Sequence, residues 1–119
     1  MNYIVYLVTG STAVVFFALA GTNGLKPYIK SPILSAITKR HRLFGMISTV
    51  AALIHMSVAV FNGQLRISGS LALLGLIATG AFGATFSKSK DRRLYLLHRI
   101  AGPVTAGLIV LHVIVNANW

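Results

Sequence analysis

The distribution of charged residues divides the chain into four long apolar stretches. The first lies before Lys26, and the others run over 43–65, 67–87 and from residue 100 to the end. A helix needs about 20 apolar residues to cross the hydrocarbon core of a membrane. The pattern therefore predicts membrane-spanning helices at about 3–21, 40–61, 69–87 and 93–115. The expected fold class is an all-α integral membrane four-helix bundle, built as two tandem helical hairpins in a single domain over 1–119.

The composition restricts the possible chemistry. Apolar residues make up 55% of the chain and charged residues 10%, whereas a soluble domain has about 25% charged residues. Eleven Lys and Arg accompany a single acid, Asp91, and there is no cysteine. Paired-carboxylate catalysis is therefore excluded, and so are thiolate nucleophiles, cysteine-bound zinc, iron–sulfur clusters and covalently attached haem.

The basic residues predict the orientation of the chain in the membrane. Five lie at or near the connection between spans one and two, five lie at or near the connection between spans three and four, and only Arg66 lies between spans two and three. The positive-inside rule places the two basic loops in the cytoplasm, and it places both termini and the loop at 62–68 outside. The net charge of +10 suits anionic lipid headgroups. Nucleic-acid binding is not expected, because no aromatic stacking platform accompanies the basic residues.

The four histidines form two pairs, His41 with His55 and His98 with His112, and the members of each pair are 14 residues apart. In an α-helix this spacing corresponds to about 21 Å along the axis, and it returns to within about 40° of the same face. Spans two and four cross in the same direction, so His41 should lie level with His98, and His55 level with His112. Two facing imidazoles at two depths are what two stacked haems need. We therefore expect two haem b between spans two and four, with His41–His98 on the cytoplasmic-side iron and His55–His112 on the outer iron.

The residues around the histidines repeat at an ungapped offset of 57, since 41–45 corresponds to 98–102. The first half of each repeat matches more weakly. Gly45 and Gly102 lie one turn beyond a histidine, where a side chain would collide with a flat macrocycle, so we interpret them as haem-contacting positions. Three arginines are either partners of the haem propionates or simple positive-inside anchors: Arg40, Arg42 and Arg99. The glycines of span three are predicted to be close-packing positions without a cofactor role: Gly75, Gly80 and Gly83.

A histidine followed by thirteen residues and a second histidine occurs twice, on two membrane helices that run in parallel. This pattern resembles the bis-histidine dihaem cytochromes b. The stretch from 97–102 through 111–112 is similar to the core of the ferric-reductase and NADPH-oxidase-like transmembrane family, here in a minimal four-helix form. The same ligand spacing occurs in the cytochrome b of quinol-oxidising complexes. The resemblance covers spans two and four, and it implies electron transfer across the membrane from a flavin or quinol donor.

The expected function is transmembrane electron transfer through two stacked b-type haems. Two alternatives stay open: a haem-bearing anchor subunit of a dehydrogenase or larger redox complex, and a small oxidoreductase acting on quinol, ferric iron or superoxide. A purely structural membrane subunit would be colourless. A metal transporter is disfavoured, because no acid lies in any span to share an ion with the histidines. The expected partners are membrane lipid and a redox protein or quinone, within a larger complex or a homodimer.

Overall fold

The computed structural model describes residues 3–116, and the described part of the chain is all-α, without strands. This confirms the expected fold class. The terminal residues 1–2 and 117–119, whose sidedness the charge pattern predicts, lie outside the described range. The elements are α1 (Tyr3–Gly21), a 3₁₀ helix (Thr22–Leu25), α2 (Pro32–Thr38), α3 (His41–Phe61), α4 (Ile67–Ser89) and α5 (Arg92–Asn116). The four long helices agree with the predicted spans to within a few residues.

These four long helices turn most of their apolar surface outward. Each is long and apolar enough to cross a membrane, yet only 6% to 17% of the residues in each apolar window are buried within the protein. Large aliphatic side chains, such as Ile4 at 74% and Ile67 at 82%, are exposed along them. Such surfaces are stable in lipid, which is as apolar as the side chains themselves. The chain is therefore a multi-pass integral membrane protein.

The chain divides into two compact units, 1–62 and 63–119. In the first hairpin α1 packs against α3, and in the second hairpin α4 packs against α5. Small residues are buried in the seams of both, among them Ala20, Ala51 and Ala59 in the first and Ala72 in the second. Small side chains let two helix backbones approach closely, which is the usual basis of helix association in lipid.

The two hairpins differ in how their helices are connected. In the second, Lys90 follows α4 in the left-handed conformation (φ 58°), and Asp91 directly precedes α5. The Asp91 carboxylate accepts a 2.9 Å hydrogen bond from the backbone N–H of Arg93, which makes it an N-cap. The first hairpin instead inserts the 3₁₀ helix and α2 between its long helices. Each connection lies at the end of its hairpin that carries most of the basic residues, which we call the basic end.

Candidate functional site

Polar side chains of α3 form a regular ladder of hydrogen bonds to α1. His41 donates from Nδ1 to the carbonyl of Ala20 at 2.7 Å, and the hydroxyl of Ser48 donates to the carbonyl of Ala13 at 2.7 Å. His55 donates from Nδ1 to the carbonyl of Tyr6 at 2.9 Å. Each step of seven residues along α3 is matched by a step of seven back along α1. Both histidines therefore face the seam of their own hairpin, at its two ends.

The second hairpin has a related but less regular set of polar contacts between its two helices. His98 donates from Nδ1 to the carbonyl of Thr79 at 2.7 Å, and Nδ1 of His112 lies 2.9 Å from the hydroxyl oxygen of Ser68. Between them, the hydroxyl of Thr105 lies 3.1 Å from that of Thr79. The middle residues of the two ladders, Ser48 and Thr105, are each 0% exposed. In both hairpins, a buried hydroxyl thus lies between two histidines along the second helix.

The carbonyl partners determine the tautomer of three of the imidazoles. A carbonyl oxygen can only accept a hydrogen bond, so Nδ1 of His41, His55 and His98 must carry the proton. The lone pair of each neutral ring then lies on Nε2. Metal-binding histidines commonly have this arrangement, because the Nδ1–H bond orients the ring and increases its basicity as a ligand. These residues therefore fit the axial coordination of a haem iron.

Glycines of the first helix in each hairpin make room for the imidazoles. A Cβ added at Gly10 would stand 2.9 Å from Cε1 of His55, and one at Gly69 would stand 2.9 Å from Cε1 of His112. A Cβ at Gly83 would stand 2.8 Å from Nδ1 of His98. Real Cβ contacts of this length do not occur, so each ring would have to move if the glycine were replaced. On its other side the His55 ring stacks on Tyr6, with centroids 4.2 Å apart.

Sequence reasoning missed the role of these glycines. Gly75 does pack against a neighbouring helix, at Thr105, and no described atom lies within 4 Å of a Cβ added at Gly80. Gly83 also packs closely, against the imidazole of His98 on α5. Gly69 and Gly83 are 14 residues apart, as are the histidines that they contact. Gly10 and Gly24 have the same spacing, although no described atom lies within 4 Å of a Cβ added at Gly24. This shared spacing is the sequence signal that could have identified them.

The contacts also correct the register of the internal repeat. The offset of 57 relates α3 to α5, but Gly10 corresponds to Gly69 and Ala20 to Thr79, which is an offset of 59. At the basic end, Ala20 and His41 of the first hairpin are 21 residues apart, whereas Thr79 and His98 of the second are 19 residues apart. This difference explains why the first half of the repeat matches weakly when a single ungapped offset is applied.

The other predicted site residues lie around the histidines. Gly45 and Gly102 are half-buried, and no described protein atom lies within 4 Å of a Cβ added at either. Clearance for a macrocycle at these two glycines stays a prediction. Arg40, Arg42 and Arg99 are exposed, and Arg99 donates from Nη1 to the Tyr95 hydroxyl at 2.9 Å. Their role toward propionates also stays a prediction.

The pairing of His41 with His98, and of His55 with His112, joins one hairpin to the other and stays a prediction from the crossing order. Over residues 3–116 there is no group of three or more His, Cys, Asp or Glu that could hold a metal ion. An axial haem site needs only one imidazole on each face, because the porphyrin supplies four nitrogens. Comparison with protein-family models, with curated proteins and with solved structures finds no match for this chain.

Proposed function

We propose that this protein binds two b-type haems and carries electrons between them across the membrane. The observation that carries the proposal is the Nδ1–H hydrogen bond of His41, His55 and His98 to a backbone carbonyl of the neighbouring helix, at 2.7, 2.9 and 2.7 Å. It leaves Nε2 as the basic nitrogen, in the form that binds iron. His112, held by Ser68, completes the set of four axial ligands.

The bulk of the imidazoles supports a role beyond joining helices. Polar side chains that bond across a seam stabilise helix pairs in lipid by about 0.6–2 kcal/mol each, and a hydroxyl is sufficient for this at Ser48 and Thr105. His55, His112 and His98 form similar bonds, and each of these three also lies against a glycine, at Gly10, Gly69 and Gly83 respectively. A serine could make the same kind of hydrogen bond without needing this space. The metal-binding capacity of the second imidazole nitrogen, Nε2, therefore explains better why histidine occupies these positions.

The proposed ligand pairs lie at two depths. In the pairing predicted from the crossing order, His41 and His98 would hold one haem and His55 and His112 the other, with the two histidines of each helix about 21 Å apart along its axis. Haem bound in this way supplies reversible one-electron chemistry. The four histidines would hold the two haem irons, and the carbonyl bonds of His41, His55 and His98 keep those three rings oriented.

The proposed direction of transfer is from a cytoplasmic donor to an acceptor outside. It combines the positive-inside rule, which places the basic end in the cytoplasm, with the resemblance to ferric-reductase-like proteins. A quinol or a partner protein is the proposed donor. Adding each to the purified protein, and following the rate of haem reduction, separates a direct quinol reaction from the role of a haem-bearing anchor subunit.

The test of haem binding is a reduced-minus-oxidised absorption spectrum of the purified protein, with haem quantified per chain. We expect two haems per chain, and His55→Ala or His112→Ala should each remove about half of the signal. Thr49→Ala is the matched control, because its hydroxyl bonds only within α3, to the carbonyl of Gly45 at 2.9 Å. A colourless wild-type preparation that takes up no haem on reconstitution would overturn the proposal.

A further inference from the structure

We infer that Ser68 is a positioning residue for His112, and that it sets how strongly this imidazole donates electrons to a bound metal. The inference rests on the proposed function. The hydroxyl oxygen of Ser68 lies 2.9 Å from Nδ1 of His112. Both side chains are half-buried, so the bond is partly shielded from solvent.

The described contact of His112 Nδ1 is with a side-chain hydroxyl, whereas Nδ1 of each of the other three histidines bonds to a backbone carbonyl. A carbonyl belongs to the backbone, so no substitution removes it. A hydroxyl is weaker as an acceptor than a backbone carbonyl, and it is a side-chain group. For Nε2 of His112 to bind a metal, Nδ1–H must donate to the Ser68 oxygen. Ser68 is therefore the place where a single substitution can change the electron donation of a proposed ligand without touching the ligand.

The same hydroxyl recurs in the first hairpin, which indicates a repeated element of the fold. Thr9 corresponds to Ser68 in the register that aligns Gly10 with Gly69. Its hydroxyl oxygen lies 3.4 Å from Nδ1 of His55, beyond the 2.9 Å bond from Nδ1 to the Tyr6 carbonyl. Thr9 is thus a secondary partner of His55, whereas Ser68 contacts His112 at full hydrogen-bond distance.

Adjacent Gly69 gives this contact a defined geometry. A Cβ at Gly69 would stand 3.3 Å from Nδ1 of His112, so the ring lies against the backbone directly beside Ser68. The ring is therefore held by the helix on its face and by the hydroxyl at Nδ1. Replacing Ser68 with a residue that lacks a hydroxyl would leave the contact between the ring and Gly69 and would remove the hydrogen bond at Nδ1.

The test compares Ser68→Thr with Ser68→Val, two side chains of the same shape that differ in the hydroxyl. Haem is titrated into the haem-free full chain, and the midpoint potentials are measured by spectroelectrochemistry. We expect Ser68→Val to weaken one of the two haem sites by about 10–100-fold and to raise the potential of that haem. Weaker donation from the imidazole favours the reduced iron, so the shift is upward. Ser68→Thr should restore both values.

Two further variants keep the test decisive. Ser70→Ala removes a hydroxyl that bonds only within α4, to the carbonyl of Arg66 at 3.2 Å, and should change neither affinity nor potential. Ser68→Ala adds no bulk and repeats the test if valine disturbs the packing. Wild-type affinity and potentials in both Ser68→Val and Ser68→Ala would overturn the role of Ser68 while two haems per chain still stand. Failure of the wild type to bind haem would overturn the proposed function itself.

Discussion

Gly83 of α4 lies against the imidazole of His98 on α5, so closely that a Cβ at this glycine would stand 2.8 Å from Nδ1 of the ring. His98 also donates from Nδ1 to the carbonyl of Thr79, which lies on α4 like Gly83. The position and the tautomer of the ring are therefore both set by α4. A proposed ligand on one helix depends on the backbone of another.

Replacing Gly83 with alanine should displace His98. The imidazole is rigid and cannot yield by a few tenths of an ångström without tilting away from Thr79, so we expect Gly83→Ala to lose about half of the haem, the part at the basic end. Gly80→Ala is the control on the same helix, because no described atom lies within 4 Å of its added Cβ. Haem per chain is the measurement. A Gly83→Ala variant that still binds two haems per chain would show that the proposed ligand His98 does not lie against residue 83.

The buried hydroxyl of Ser48 should contribute to stability and not to haem binding. Ser48→Ala removes its bond to the Ala13 carbonyl, and we expect a loss of about 0.5–1.5 kcal/mol in the free energy of unfolding in detergent. Ser57→Ala, whose exposed hydroxyl bonds within its own helix to Leu53, should change stability by less than about 0.5 kcal/mol. Both variants should keep the wild-type haem content. Haem loss in Ser48→Ala alone would place this hydroxyl in the binding site.

Asp91, the sole acid of the chain, should stabilise α5 as its N-cap. Asp91→Ala removes the acceptor of the Arg93 N–H and should cost about 0.5–2 kcal/mol, measured by thermal or chemical unfolding. Asp91→Asn keeps an acceptor oxygen and should be nearly neutral. Equal losses in the two variants would show that the negative charge, set among basic residues, matters more than the cap.

The orientation in the membrane is open to direct labelling, because the chain contains no cysteine. We expect a cysteine introduced at Lys90 to react with a membrane-impermeant maleimide only after the membrane is opened, and one at Gln64 to react in intact cells. Haem content serves as the check that each variant keeps its fold. The reverse pattern would invert the topology, and with it the proposed direction of electron transfer.

Local sequence was sufficient to predict the long helices and the placement of His41 and His55 on one face of α3. A charge-free stretch of about 20 residues crosses a membrane wherever it occurs, and a spacing of 14 residues returns to nearly the same face of any α-helix. The boundaries of α1 and α3, and the placement of His41 and His55 on one seam, follow from these two properties. Neither property depends on which helix packs against which.

Only the tertiary structure decided what surrounds each imidazole. The partner atoms of His98 and His112, and the glycines beneath their rings, lie 15 to 44 residues away in the chain. Their identity depends on the register with which two helices pack, and that register is set by many small contacts between side chains. In the first hairpin the positions that meet at the basic end are 21 residues apart, against 19 in the second, so α1 corresponds to α4 at an offset of 59 whereas α3 corresponds to α5 at 57. A pattern along one helix does not show which positions of the neighbouring helix it meets, because that pairing forms only where the two helices pack.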